Sequence, residues 1–381
     1  MTQYSNHRWD ELGATAEIAT FAPQDGVTEI HVILHVEGRR ESFSQQLERL
    51  HQAQERWMAM SEGKGSEIVF RRYFLSDSAN QAALMGDLGE GAVSVIQQPP
   101  LDGSKVALWL YAQKGTNVTH HEGETIVEHN GYRHLWHAGL HSIVGDSAEQ
   151  TEHLLQDYEK RLSHAEADML HHCRRTWFFV RDVDTQYGGM VRARLENFHE
   201  QGLTPDTHYI SSTGIGGLPA NTRALLQLDA YALTGLNDAQ QTFLRALTHL
   251  NPTIEYGVTF ERGTLLEYGD RAHAIISGTA SIDNEGKVVH LGDISAQTRR
   301  MWENVEALLA EAEMTIERDV MQMIVYLRDT ADYETVRALF EERFPDIPKV
   351  ITLAPVCRPE WLIEMECIAV APRMKTDIRP F

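Results

Sequence analysis

The sequence predicts an α+β protein made of three copies of one unit, with helices on one face of each mixed sheet. Three observations carry this. The stretch His273–Ala371 reads strand, helix, strand, helix, strand, strand, the pattern of a two-layer unit. A Gln that opens a helical pattern precedes an Asp that ends an apolar strand by 32 residues three times: Gln45 to Asp77, Gln150 to Asp182, Gln297 to Asp329. The length of 381 residues suits three units, drawn here at 1–115, 116–236 and 237–381.

The third unit is the clearest. Ala274–Ile282 is strand-like, and Gly292-Asp293 leads into a helix from Ile294 to Glu313 with Met301, Val305, Leu308, Leu309 and Ala312 on one face. Met323–Leu327 is a short apolar strand. Asp332 is expected to cap a second helix bearing Val336, Leu339, Phe340 and Phe344, which Pro345 and Pro348 stop. Val350–Leu353 and Leu362–Val370 close the unit. Its lead-in includes Tyr256-Gly257-Val258-Thr259-Phe260-Glu261-Arg262.

In the first unit Ile30, Val32, Leu34 and Val36 alternate as a half-buried strand, and Leu47, Leu50, Ala53 and Trp57 line a helix. Residues 1–27 read as a mixed segment with an edge strand, and Lys114–Gly131 as a polar linker. The second unit repeats the third most closely: Gly145-Asp146 with Gln150-Thr151 matches Gly292-Asp293 with Gln297-Thr298, and Arg181-Asp182 matches Arg328-Asp329.

A net charge of −21 argues against a nucleic-acid partner, which needs a basic face. The polar N-terminus lacks the apolar core of a signal peptide, no apolar run is long enough to span a bilayer, and three cysteines form no paired framework. A cytoplasmic protein with no membrane partner is the expectation. The histidines His120, His121, His129, His134, His137 and His141 match no ligand spacing, so neither a metal nor another cofactor is expected.

Three groups of residues point to chemistry. Glu364 and Glu366 share one strand face, with Ile363 and Met365 opposite. If that face meets another unit rather than water, Glu364 is desolvated and suits a general acid. Ser211-Ser212-Thr213-Gly214, read at the end of a strand, offers hydroxyls to a bound carboxylate. Arg174, Arg175, Arg194, Arg262 and Arg358 are cations in an acidic chain, and a buried Arg needs an anion.

The third unit resembles the Rid superfamily, on Ser277-Gly278-Thr279-Ala280, Gly292-Asp293 with Gln297, Glu303-Asn304-Val305 and Ile363–Val370. Arg175-Thr176-Trp177, Phe260-Glu261-Arg262 and Cys357-Arg358-Pro359 through Glu364 are similar to its chorismatase branch. The resemblance implies three Rid-like (chorismate-mutase-like) units and an enzyme, a hydrolase or lyase that takes a small carboxylate. It places the acid/base on Glu364 with Cys357 beside it. Arg358, Arg262, Arg194, Arg175, Ser212, Thr213 and Gly214 are then the substrate-binding set. The implied activity is release of pyruvate from chorismate; the alternatives are a Rid enamine/imine deaminase and a non-catalytic metabolite-binding protein. Lys349–Leu353 has no Arg where Rid deaminases hold the substrate carboxylate. A monomeric pseudo-trimer or a homo-oligomer both fit the resemblance.

Overall fold

The computed structural model describes residues 1–38, 40–253 and 259–381. Tyr256-Gly257-Val258, read as part of the third lead-in, lies outside the described residues.

Unit one holds β1 (Gln3–Trp9), β2 (Ala14–Phe21), β3 (Thr28–Val36), α1 (Phe43–Ala59), β4 (Glu67–Leu75), the one-turn α2 (Ser78–Gln81), β5 (Ala92–Gln97) and β6 (Val106–Lys114). Unit two holds β7 (Asn117–His121), β8 (Glu124–His129), β9 (Tyr132–Leu140), α3 (Ser147–His164), α4 (Met169–His172), β10 (Cys173–Val180), α5 (Val183–Glu200), β11 (Ser211–Gly216), β12 (Leu218–Pro219) and β13 (Leu226–Thr234). Unit three holds β14 (Gln241–Leu244), β15 (Gly263–Glu267), β16 (Arg271–Ala280), α6 (Ile294–Glu311), α7 (Ile316–Asp319), β17 (Val320–Leu327), α8 (Tyr333–Arg343), β18 (Lys349–Leu353) and β19 (Ile363–Pro372).

The centres of the three sheets have one order. It is β3-β6-β4-β5 in the first, β9-β13-β10-β11 in the second and β16-β19-β17-β18 in the third, and in each the last pair is parallel. This is an α+β fold of three Rid-like units. The sheets turn one face toward a shared core, where Phe70 lies 5.0 Å from Trp109 and 5.3 Å from Trp136, ring centre to ring centre. The helices cover the other faces: α6 buries Met301, Val305, Leu308 and Leu309, each worth roughly 1.5–3 kcal/mol.

The helix starts explain the repeat and correct it. Gly145 (φ 84°) and Gly292 (φ 73°) take the left-handed conformation, and Asp146 and Asp293 cap the helices that follow. On the first turn, Gln150 Oε1 accepts from Leu225 N and Gln297 Oε1 from Leu362 N, each just before the final strand of its unit. In unit one the same bond, to Lys105 N, is made by Gln46 and not by Gln45. Gln45 instead closes a capping box with Ser42 on the exposed side of α1. The equal spacing from Gln45 was therefore one residue out of register.

Three other expectations change. The supposed linker Lys114–Gly131 is the β7–β8 hairpin, which extends the second sheet; Thr125 and Val127 face inward, and Gly123 (φ 69°) makes the turn. Residues 1–27 form two full antiparallel strands, β1 and β2. Asp332 makes no cap bond; Asp329 caps the turn before α8, accepting from Ala331 N at 2.9 Å. Among the described residues no helix is long and apolar enough to cross a membrane.

Candidate active site

A cavity of about 390 Å³ opens between units two and three. One wall is α5 with β11, the other β16, β19 and the loop before β19. Glu364, Cys357, Arg358, Arg262, Arg194, Ser212, Thr213 and Gly214 all line it. Of the catalytic and substrate-binding set that the resemblance implies, Arg175 is the exception: it lies behind the wall, 1% exposed. Arg174 is also away from the cavity, donating to His171 O at 2.6 Å and Leu233 O at 3.3 Å.

The carboxylate face of β19 meets unit two, not water. Glu364 is 6% exposed and Glu366 1%. Opposite Glu364 across β19 stand Ala280 and Tyr326. A side chain at Gly278 would run into the Glu364 carboxyl and come within 3.1 Å of Thr213 Cγ2, so the close seat of the acid needs glycine there. Burial, then the charge of Glu366, push the Glu364 carboxyl up to about 8, against the pull of Arg175 and Arg262. No hydrogen bond from the described residues to its carboxyl offsets the burial. Glu364 is thus protonated at neutral pH.

Glu366 is held quite differently. It accepts from Arg175 Nη2 at 2.8 Å and from Trp177 Nε1 at 2.7 Å, and Arg72 Nη1 stands 3.8 Å away. Arg175 also donates to Thr213 Oγ1 at 2.5 Å. Its contribution to the cavity is therefore indirect, through Thr213, because its charge is already matched by Glu366.

The hydroxyls open β11 instead of ending a strand, and neighbouring protein groups already engage them. Thr213 Oγ1 accepts from Gly278 N at 2.9 Å, and Ser212 Oγ accepts from Thr176 Oγ1 at 2.8 Å. The Thr213 bond fastens unit two to unit three, and the Ser212 bond ties β11 to β10 within unit two. The guanidinium groups line the cavity with partners of their own: Arg262 donates to Asn251 O at 3.2 Å, Arg194 Nε to Thr259 Oγ1 at 3.2 Å, and Arg358 stacks 4.9 Å from the Trp361 ring. Burial raises the Cys357 thiol to about 12, so it is a neutral thiol and no nucleophile at neutral pH.

Sequence reasoning missed Tyr187, Arg192 and Trp361, which also line the cavity. Tyr187 packs against Gly214 and lines the cavity together with Cys357. A signal was present in Gly188-Gly189 inside a helix. A side chain at Gly189 would strike Ser147 at the start of α3, whereas Gly188 faces open space in the cavity. The histidines of the 120–141 stretch take separate partners: His120 with Thr125, His134 with Tyr231, His137 with Glu124.

Units one and two lack the acid. By the Gln anchor and strand register, the Glu364 position is Gln227 in unit two and Ala107 in unit one.

Comparison with known proteins agrees with this architecture. A chorismatase crystal structure superposes with a TM-score of 0.63 at 18% identity, covering 81% of this chain and 94% of that one, a likeness of fold. The 3-aminoacrylate deaminase RutC of Acinetobacter baylyi is 32% identical over 96 residues, 25% of this chain and 75% of that protein. A RutC family protein of Pyrococcus abyssi is 35% identical over 96 residues, again 25% and 75%. The sequence profile described as Endoribonuclease L-PSP matches residues 269–371, the unit that carries Glu364. With its three Rid-like units in one chain, the protein belongs to the Rid (endoribonuclease L-PSP) superfamily, as a long-form member.

Proposed function

We propose that this protein releases pyruvate from a chorismate-like enolpyruvyl ether by general-acid catalysis at Glu364. The observation that carries the reading is a buried carboxyl at the wall of a cavity lined by Arg192, Arg194, Arg262 and Arg358, where burial favours the protonated form. Arginine is the side chain best shaped to bind carboxylates in pairs of hydrogen bonds. The acid protonates the enolpyruvyl methylene, the cation that forms at the ether carbon takes up water, and the resulting hemiketal collapses to pyruvate and an alcohol. The ring hydroxyl and its carbon skeleton leave unchanged. A neutral Cys357 next to Glu364 keeps the acid's surroundings free of a second negative charge.

A second reading, enamine or imine deamination, draws on the 32% identity to a protein named a 3-aminoacrylate deaminase. Weighing against it, β18 carries no Arg, and the cavity is walled by aromatic Trp361, Phe260 and Tyr187, more apolar surface than a three-carbon substrate fills.

The test is to supply chorismate, and separately an enamine generated in situ, and to measure pyruvate and ammonia. Pyruvate from chorismate supports the first reading, and ammonia alone moves the second ahead. Release from neither, with chorismate still bound, leaves a metabolite-binding protein.

A further inference from the structure

We propose that Glu366 is a positioning residue for the candidate reaction: paired with Arg175 in a buried cluster drawn from all three units, it supplies the fixed negative charge beside which Glu364 keeps its proton. This rests on the reading of Glu364 as the acid.

The geometry is a chain of four charges. Asp229 of unit two accepts from Arg72 Nη2 of unit one at 2.9 Å. Arg72 Nη1 lies 3.8 Å from Glu366 of unit three, and Glu366 accepts from Arg175 of unit two at 2.8 Å. All four residues are at most 1% exposed. Two cations and two anions balance, which is the condition under which charges survive burial. Both guanidinium groups lie 4.8 Å from the Trp177 ring, whose Nε1 donates to the other Glu366 oxygen. Both Glu366 oxygens are therefore engaged by donors, Oε2 by Arg175 and Oε1 by Trp177.

Unit one lends the cavity no wall among the described residues, yet through Arg72 it closes this chain. That explains what a unit without an acid of its own contributes.

The groups that face Glu364 are few. Glu366 shares its strand face, Tyr326 stands across on β17, and Arg175 reaches from β10. Arg262 comes from the segment before β15, Tyr187, Arg192 and Arg194 from α5, and Cys357 and Arg358 from the loop before β19. Tyr187 and Cys357 are neutral at physiological pH, so Glu366 is the one fixed anion among these groups, opposed by the arginines.

The test is to titrate the Glu364 side-chain carbon by carboxyl carbon-13 NMR, assigned with Glu364→Gln, in four proteins. These are the wild type, Glu366→Gln, Arg175→Met and the double variant. Glu366→Gln is expected to lower the midpoint by about one pH unit or more, and Arg175→Met to raise it. The double variant removes a neutral pair, orphans no charge and is expected to return within about half a pH unit of wild type. The descending limb of pyruvate release moves with each midpoint. An unmoved midpoint in Glu366→Gln, or single variants that shift the same way, overturns the proposal. If the singles do not fold, a double variant that titrates as an ordinary carboxylate overturns it. A chain that leaves chorismate intact but titrates as expected refutes the pyruvate-releasing reading alone. Turnover with unmoved midpoints refutes this inference alone.

Discussion

Glu364 and Glu366 stand two residues apart on one face of one strand, and the fold treats them as opposites. Glu366 is bonded to Arg175 and Trp177, while Glu364 receives no hydrogen bond from the described residues and is pushed up to about 8 by burial. Pairing makes one a fixed anion, and desolvation makes the other an acid.

Glu364→Gln retains shape but cannot deliver a proton. Its rate of pyruvate release is expected to fall by about 10²–10⁴-fold while chorismate still binds, because the arginines are untouched. Steady-state rates and calorimetric binding check both parts. In the wild type the active form is the protonated one, so the rate is expected to fall as pH rises through about 8. An equally active Gln variant removes Glu364 from the mechanism.

The same carboxyl makes stability depend on pH. Its folded value is raised above the usual carboxylate value of 4.5, so its stabilising share is full below that value and is lost as pH climbs through about 8. Glu364→Gln lacks the penalty. It is expected to melt a few degrees above the wild type at pH 8, with the gap closing toward pH 5, as thermal unfolding across that range will show.

Gly278→Ala places a methyl group against the Glu364 carboxyl and 3.1 Å from Thr213 Cγ2. Overpacking of this kind costs about 1–3 kcal/mol. A displaced acid loses about 100-fold in rate. Kinetics on folded variant, verified by circular dichroism, separates the two effects. A variant of unchanged rate means the carboxyl is not held where catalysis needs it.

The helix-start glutamines differ in kind. Gln46→Ala leaves the part-buried Lys105 N–H without this partner and is expected to cost about 1 kcal/mol or more, as are Gln150→Ala and Gln297→Ala at Leu225 and Leu362. Gln45→Ala loses only an exposed capping contact and is expected to cost under about 1 kcal/mol. Urea unfolding midpoints rank the four, and a Gln45 variant as damaged as the others contradicts the assignment of Gln46.

Local patterns in the chain were sufficient for the fold class. Helical periodicity in α6, the Gly-Asp starts of α3 and α6, and the Asp that follows each middle strand all depend on neighbours within a few residues, so they are written in the sequence. The pairing of Glu364 with Glu366 on one face follows from the alternation of a strand. What that face touches does not. Whether Glu364 meets water or unit two, and whether Arg175 lines the cavity or pairs with Glu366 191 residues away, is decided by how the units pack. The β7–β8 hairpin looked like a linker because an edge of the second sheet lends it partners that its own residues do not reveal. The one-residue error at Gln45 has the same origin: two adjacent glutamines are indistinguishable by spacing, and only the N–H of Lys105, reached across the folded unit, selects Gln46.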